Sequence, residues 1–371
     1  MKIGIDIRSL QDKQKSGVGE YTFGLLAALF KIDRQNEYYP FSNARNIKQV
    51  DIPESNGAKV SHKHFQYSNK YLNFKFKFFN KPKIDKLLGV DLDAFIFPNI
   101  NFYSLSQGIK KILVVHDLSY ELYPSFYSPK SRLWHKMINA KKFCREADKI
   151  VAVSENTKND IINVFNIPEE KVITIYPGIS DSMRPVTDRA KLAEVKEKYN
   201  LPSKFILYLG TIEPRKNIRG LMQAFDILKT KSDLPHKLVI AGAKGYKSEK
   251  ILKKDYKIQY IDYVVAEDKP ALYTLADLFV YPSFYEGFGF PPLEALSCGT
   301  PVVASHAGSL GEVLGKAALL VNPHNASEIA DGMINILQDE ATKKIFIEQA
   351  HGVLEKYSWE QNARRWLDKI M

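Results

Sequence analysis

The chain has 371 residues, 45% of them hydrophobic and 26% charged, with a formal net charge of +11 and a pI near 9.2. This length suggests about two or three domains, the composition is that of a globular protein, and no apolar run approaches the ~18 to 20 residues that span a bilayer. With only Cys144 and Cys298, a secreted disulfide framework and a cysteine-based zinc site are both excluded, which makes the reducing cytosol the expected compartment.

The opening M-K-I-G-I-D-I-R reads as a strand, Lys2 to Ile7, without the layout of a signal peptide. A polar, Gly-containing loop follows, R-S-L-Q-D-K-Q-K-S-G-V-G-E-Y, and then an apolar-periodic helix from Tyr21 to Lys31. Strand, loop and helix in that order open a doubly wound sheet. Further strands are expected at Ala94 to Phe97, Lys111 to His116, Lys149 to Val153 and Val172 to Ile175, with a helix from Pro129 to Ala147. Their β-branched, continuously apolar character indicates parallel strands buried on both faces.

Residues 63 to 86 hold seven Lys and one Asp, interleaved with aromatics. The Phe and Lys alternation from Phe74 to Phe79 predicts a half-buried strand or an amphipathic surface segment. It fits either a solvated edge strand kept from aggregating by its Lys residues or a membrane-facing surface.

The Pro, Gly and Ser of 175 to 188 predict an interdomain linker. After a charged helix from Arg189 to Lys198 the alternation restarts. Strands are expected at Phe205 to Gly210, Lys237 to Ala241, Ile258 to Ile261, Leu278 to Tyr281, Pro301 to Ala304 and Ala318 to Val321. Helices fit at Asn217 to Lys229, Asp268 to Ala276 with Asp268 as N-cap, Phe290 to Cys298 and Ala326 to Leu337. Two closing helices follow, Glu340 to Lys356 and Ser358 to Ile370. The fold class is therefore α/β, with two Rossmann-like doubly wound parallel-sheet domains facing across a cleft.

Ligands of such sheets bind at the carboxyl ends of strands, so the loops there carry the candidates. In G-T-I-E-P-R-K-N, 210 to 217, Gly210 permits a close turn, and Arg215 with Lys216 precedes a helix N-terminus, an arrangement that suits a diphosphate. Exposed basic residues would be the ordinary alternative, but at that end they oppose the helix dipole. In Y-E-G-F-G-F-P-P-L-E, Glu286 lies in a Gly-rich loop and Glu294 about one turn into the next helix. Both can accept hydrogen bonds from vicinal hydroxyls; as ordinary residues, Glu286 is a solvated loop acid and Glu294 compensates a helix dipole. S-G-V-G-E-Y places Gly17 and Gly19 where a short loop can approach a phosphate, but position 22 is Thr and G-x-G-x-x-G is not completed, against a dinucleotide dehydrogenase. His116, at a strand end in V-V-H-D-L, can donate to a sugar hydroxyl or be a satisfied structural histidine. The remaining histidines have no metal-ligand spacing.

The run E-G-F-G-F-P-P-L-E-A-L-S-C-G-T-P-V-V-A-S resembles the signature of the retaining glycosyltransferases of family 4, which have the GT-B fold, and its two Glu residues are spaced as in that family. G-T-I-E-P-R-K-N is similar to the family's diphosphate-binding segment. Likeness extends through I-D-I-R, G-V-G-E-Y, V-H-D-L, V-S-E-N-T-K-N-D-I, Y-P-G-I, V-I-A-G, S-L-G-E-V and A-L-L-V-N-P, nearly the whole chain. Two positions depart from it: Gly311 stands where Pro is common, and Asp262 where Gly is usual.

The resemblance implies that Arg215 and Lys216 hold the donor diphosphate, Glu294 the ribose, and Glu286 the transferred sugar with the backbone of Gly287, Phe288 and Gly289. It implies that Gly17 and Gly19 approach the phosphates and His116 the reacting carbon. It also implies domains at 1–178 and 179–356, with a closing helix at 357–371 that returns to the first. The activity implied is metal-independent hexosyl transfer with retention. Mannose from GDP-mannose is favoured, moved to a glycan or a lipid-diphosphate-linked acceptor in cell-surface polysaccharide assembly. The expected place is the cytoplasm or the inner face of the membrane, with membrane contact through 63–86. The alternatives are a UDP-hexose-dependent enzyme making a soluble glycoside and, on charge alone, a non-enzymatic polyanion binder; a catalytically dead sensor is disfavoured by the four charged residues together. No recognition-helix or stacking-platform motif points to nucleic acid.

Overall fold

A computed structural model describes residues 1–11, 16–46, 50–252 and 258–371. Residues 12–15 of the expected loop after the first strand lie outside the described residues. The chain divides into two units: residues 1–118, 129–178 and 357–371 form the first, and residues 119–128 and 179–356 the second.

The first unit is built on a sheet of β1 (Lys2–Asp6), β2 (Glu37–Asn43), β3 (Lys59–Val60), β4 (Lys63–Phe65), β5 (Ala94–Phe97), β6 (Lys110–Val115), β7 (Lys149–Ala152) and β8 (Val172–Thr174). All pairs are parallel, in the order β3-β2-β1-β5-β6-β7-β8, with β4 also on β2. The described sheet residues of β5 are wholly buried, which is why this strand reads as an unbroken apolar run. β2 gives no such signal, because Pro40 and polar residues interrupt it. Its Pro is tolerated for a local reason: β3 pairs with Glu37 and Tyr38 and β4 with Phe41 to Asn43, so Pro40 falls in the gap between them.

The second unit holds β9 (Phe205–Leu209), β10 (Lys237–Ala241), β11 (Ile258–Ile261), β12 (Leu278–Tyr281), β13 (Val302–Ser305) and β14 (Leu319–Val321). All run parallel in the order β11-β10-β9-β12-β13-β14. The strand order reverses between β9 and β12, and that switch point is where an open α/β sheet leaves a crevice.

Several expectations need correction. The Phe and Lys alternation at 74–79 is helical, not a strand: the helix Asn69–Phe79 buries only Leu72 and Phe76, four residues apart, and ends at Asn80 in the left-handed conformation. The 129–147 helix is two, Pro129–Ile138 and Ala140–Glu146, parted by Asn139 at φ 53°, whose side chain caps the second. Asp268 is no side-chain N-cap; it is buried and receives Lys191, Lys198 and Tyr199 at 3.0, 2.6 and 2.9 Å. The first helix starts at Gly17, not Tyr21, and runs to Ile32 with Ser16 as its N-cap, so Gly17 and Gly19 belong to a helical first turn rather than to a loop.

The helix Trp359–Lys369 is part of the first unit. Trp366 is fully buried, and truncating such a side chain typically costs about 3–5 kcal/mol. Trp359 packs into the space left by two glycines, since a Cβ on Gly24 or Gly178 would come within 2.2 Å of it. Asn362 Nδ2 donates to the Tyr176 carbonyl at 2.7 Å and ties this helix to the segment after β8.

Candidate active site

The loop after β9 and the loop after β12 meet at the switch point of the second sheet. The Phe284 N–H donates to the Arg215 carbonyl at 2.9 Å, which fixes the two loops to each other. Arg215 and Lys216 lie in a short 3-10 turn, Pro214–Lys216, and the helix Ile218–Lys231 starts only after Asn217. Asn217 makes that junction at φ 55°, a conformation that Asn tolerates better than most residues. Its buried side chain donates to the carbonyls of Pro282 and Pro323 at 3.1 and 2.6 Å, joining three loops.

Glu286 is the centre of the cluster. Its carboxylate accepts from Lys216 Nζ at 2.6 Å and from Arg215 Nη1 at 3.0 Å, and the side chain is buried. A solvated loop acid is therefore ruled out. Burial alone would raise its pKa, but the Arg215 and Lys216 charges outweigh that and hold it at about 2. Arg215 also donates to the Tyr285 carbonyl at 2.9 Å and to Glu213 at 3.0 Å. Lys216 is buried; burial and the adjacent Arg215 lower its pKa, which Glu286 opposes only in part.

The backbone around Glu286 is held as firmly as its side chain. Ser309 donates to the Glu286 carbonyl through both its N–H and its hydroxyl, each at 3.0 Å. Gly308, at φ 62°, brings the two chains so close that a Cβ there would lie 2.6 Å from that carbonyl. Gly287, Phe288 and Gly289 follow directly, and Gly289, at φ 97°, turns the chain into the helix Phe290–Ser297. Gly210 closes β9, its N–H donating to the Ala241 carbonyl at 2.9 Å.

Glu294 sits inside that helix and is also buried. It accepts from the Tyr273 hydroxyl at 2.8 Å, with Lys269 Nζ at 3.8 Å. A carboxylate so enclosed is not there to balance a helix dipole in water.

Sequence reasoning missed Tyr281. It ends β12, is buried, and its hydroxyl accepts from Lys216 Nζ at 2.7 Å, while Tyr208 stacks on its ring at 5.7 Å. Burial and the Glu286 charge raise its pKa, so the hydroxyl stays protonated. Tyr273 and Asn217 were missed as well. The usable signal was position: a Tyr hydroxyl at the last residue of an otherwise wholly apolar strand, and an Asn where a turn must precede a helix.

The first unit holds His116, Gly17 and Gly19. His116 follows β6, and its Nε2 lies 2.7 Å from the Pro98 carbonyl. A carbonyl only accepts, so Nε2 carries the proton. Burial lowers the pKa, opposed by that hydrogen bond and by Asp117, and favours the neutral ring. Nδ1 is then an acceptor, so the expected donation becomes acceptance from a ligand hydroxyl. The ring stands edge-on to Tyr21 at 4.9 Å. Among the described residues a Cβ at Gly17 would meet nothing within 4 Å. Among the described residues no group of His, Cys, Asp and Glu could hold a metal ion, and no helix is long and apolar enough to cross a membrane.

Two family models match the chain: "Glycosyltransferase Family 4" over residues 39–182 and "Glycosyl transferases group 1" over residues 191–353. The O-antigen chain mannosyltransferase B of Escherichia coli is 31% identical over 357 residues, 93% of each chain. The serotype-specific mannosyltransferase WbdA of Escherichia coli is 32% identical over 263 residues, 68% of this chain but only 32% of that longer protein. Among solved structures, sucrose-phosphate synthase from Thermosynechococcus elongatus superposes with a TM-score of 0.76 at 19% identity, covering 99% of this chain and 97% of that one, a likeness of fold. With two parallel-sheet units in that arrangement of motifs, the chain belongs to the family 4 glycosyltransferases of the GT-B fold and is a hexosyltransferase.

Proposed function

We propose that the chain transfers mannose from GDP-mannose, with retention of configuration, to a glycan or lipid-linked acceptor during the assembly of a cell-surface polysaccharide in the cytoplasm. The observation that carries this reading is the similarity, over 93% of both chains, to a protein named as an O-antigen chain mannosyltransferase. The buried Arg215, Lys216 and Glu286 cluster supports it with chemistry suited to a sugar diphosphate.

In the proposed reaction the bond between the sugar C1 and the donor phosphate oxygen breaks. A bond from the acceptor oxygen to C1 forms on the same face, and the acceptor proton passes to the leaving phosphate. Arg215 and Lys216 stabilise the charge that grows on that phosphate, fixed cations in a water-poor site being worth far more than in bulk. They do the work a divalent ion would otherwise do, so we propose metal-independent turnover. Glu286 accepts from a hydroxyl of the transferred sugar, with the amides of Gly287, Phe288 and Gly289 beside it, and Glu294 accepts from the ribose. Gly210 keeps the diphosphate loop close to the sheet. His116 takes a hydrogen bond from a sugar hydroxyl through Nδ1, and Gly17 and Gly19 bring the backbone of a helical first turn to the phosphates, the Gly19 N–H being capped by the Ser16 hydroxyl at 3.4 Å until a ligand competes for it.

The test is calorimetric titration of the purified chain with GDP, GDP-mannose, UDP and UDP-glucose, with and without a chelator. Binding of the guanosine pair alone, unchanged by chelation, is expected. Binding of the uridine pair alone overturns the mannose donor and leaves the class intact. Loss of donor binding or turnover on chelation overturns metal independence.

A further inference from the structure

The helix Asn69–Phe79 is apolar on two sides. Leu72 and Phe76 face the core, where Phe76 lies under Arg8, whose guanidinium is 5.9 Å from its ring and is held by Asp6 at 2.6 Å. The outward side carries Tyr71, Phe74 and Phe78, spaced three and four residues apart, with Phe79 at its end. These four side chains are 53, 52, 63 and 57% exposed. Their rings cluster, Phe74 lying 4.9 Å from Phe78 and 5.9 Å from Phe79. Lysines flank them: Lys75 Nζ lies 5.0 Å from the Phe79 ring and Lys77 Nζ 5.3 Å from that of Phe78. Between residues 63 and 84 the chain has six lysines and no acidic residue.

A second helix of the same unit repeats the combination. Pro129–Ile138 buries none of its residues, exposes Leu133 and Met137 one turn apart, and carries Lys130, Arg132 and Lys136 without an acid. The two helices are linked through Phe102, whose ring is 5.9 Å from Lys77 Nζ and 6.5 Å from Trp134.

We propose that this face of the first unit binds an anionic lipid surface, with Phe74, Phe78 and Phe79 entering the headgroup and acyl boundary and the lysines engaging the headgroups. Exposed aromatics clustered on one helix mark an interaction site rather than ordinary surface. Helices of this kind, apolar on the outside and rich in Lys, lie in the plane of a membrane interface. A second copy of the chain is a poor occupant, because a two-fold contact would set one acid-free Lys patch against itself. The inference does not depend on the donor or the acceptor.

The experiment is co-sedimentation of the full chain with phosphatidylcholine vesicles, with and without phosphatidylglycerol. Binding is expected only with the anionic lipid, weakened by salt. Replacing Phe74, Phe78 and Phe79 by Ser together should cut it by about tenfold or more, with an unchanged melting temperature. If that triple variant is misfolded, Phe78→Ser alone, at the most exposed position, should still reduce binding. Equal binding of the folded variants overturns the proposal, as does equal binding to neutral vesicles. So does self-association in velocity sedimentation that the variants abolish without change in vesicle binding. Binding to a nucleic acid that is insensitive to the Phe substitutions and displaces the vesicles would make the face a polyanion site instead.

Discussion

Two regions of this molecule pair lysine with aromatic rings at nearly the same distance and to different ends. Lys216 Nζ lies 5.1 Å from the Tyr281 ring, and Lys75 Nζ lies 5.0 Å from that of Phe79. The first pair is buried, and two of the lysine's three donors are committed at 2.6 and 2.7 Å. The second belongs to an exposed surface in which charge and ring both meet solvent. Burial separates them: a desolvated cation must be hydrogen-bonded and so becomes directional, whereas an exposed one stays hydrated and acts through summed charge. A contact distance therefore does not identify a site. The number of fixed partners does.

The largest effect that would break this contrast is at Lys216. Lys216→Ala should lower turnover about a hundred- to a thousandfold, the usual loss when one preorganised donor is removed from a developing charge. It also leaves Glu286 with one cation fewer, and breaking a buried pair destabilises by about 3–5 kcal/mol, so melting must be followed beside the kinetics. Retained activity in a folded variant would make the cluster structural only.

Glu286→Gln sharpens the electrostatic half of the comparison. The folded pKa of Glu286 is depressed to about 2. Its contribution to stability is therefore present above the unfolded carboxyl value of about 4.3 and is lost as pH falls from there toward 2. A shift of this size corresponds to about 3 kcal/mol. The melting difference between wild type and Glu286→Gln should be widest near neutral pH and narrow across that acid window. A difference constant down to the lowest accessible pH would show that the pair is not charge-coupled.

Tyr281→Phe removes one hydroxyl and keeps the ring. With Lys216 deprived of the partner at 2.7 Å, kcat is expected to fall by about tenfold with KM for the donor little changed, the pattern of an interaction that serves the transition state more than the ground state. A proportional rise in KM instead would make Tyr281 a ground-state binding residue.

The smallest effect belongs to the exposed partner of the comparison. Lys77→Glu should leave donor titration unaltered and stability within about 0.5 kcal/mol, as surface changes usually do, while weakening adsorption to anionic vesicles. A change in donor affinity would join two regions that the structure keeps in separate units.

Much of this was legible from the chain alone. The buried strands β5, β9, β10 and β12 announce themselves because parallel strands covered on both faces must be continuously apolar, and each of them ran within one residue of its expected span. The loops bearing Arg215, Lys216, Glu286 and Glu294 followed, since the ends of such strands are known once the strands are. What the order of residues could not decide was any property that depends on what lies across space. The segment 74–79 alternates every second residue, yet it is a helix, because Leu72 and Phe76 have a core to fill and the outer rings have none. β2 is a strand in spite of Pro40, because the two strands beside it leave a gap at that residue. Glu286 and Lys216 stand 70 positions apart, and only the meeting of two loops at the β9 and β12 switch point makes them a buried pair. Local pattern determined where the chain turns and which stretches seek the interior; tertiary packing decided which charges lost their water, and with it which of them became a site.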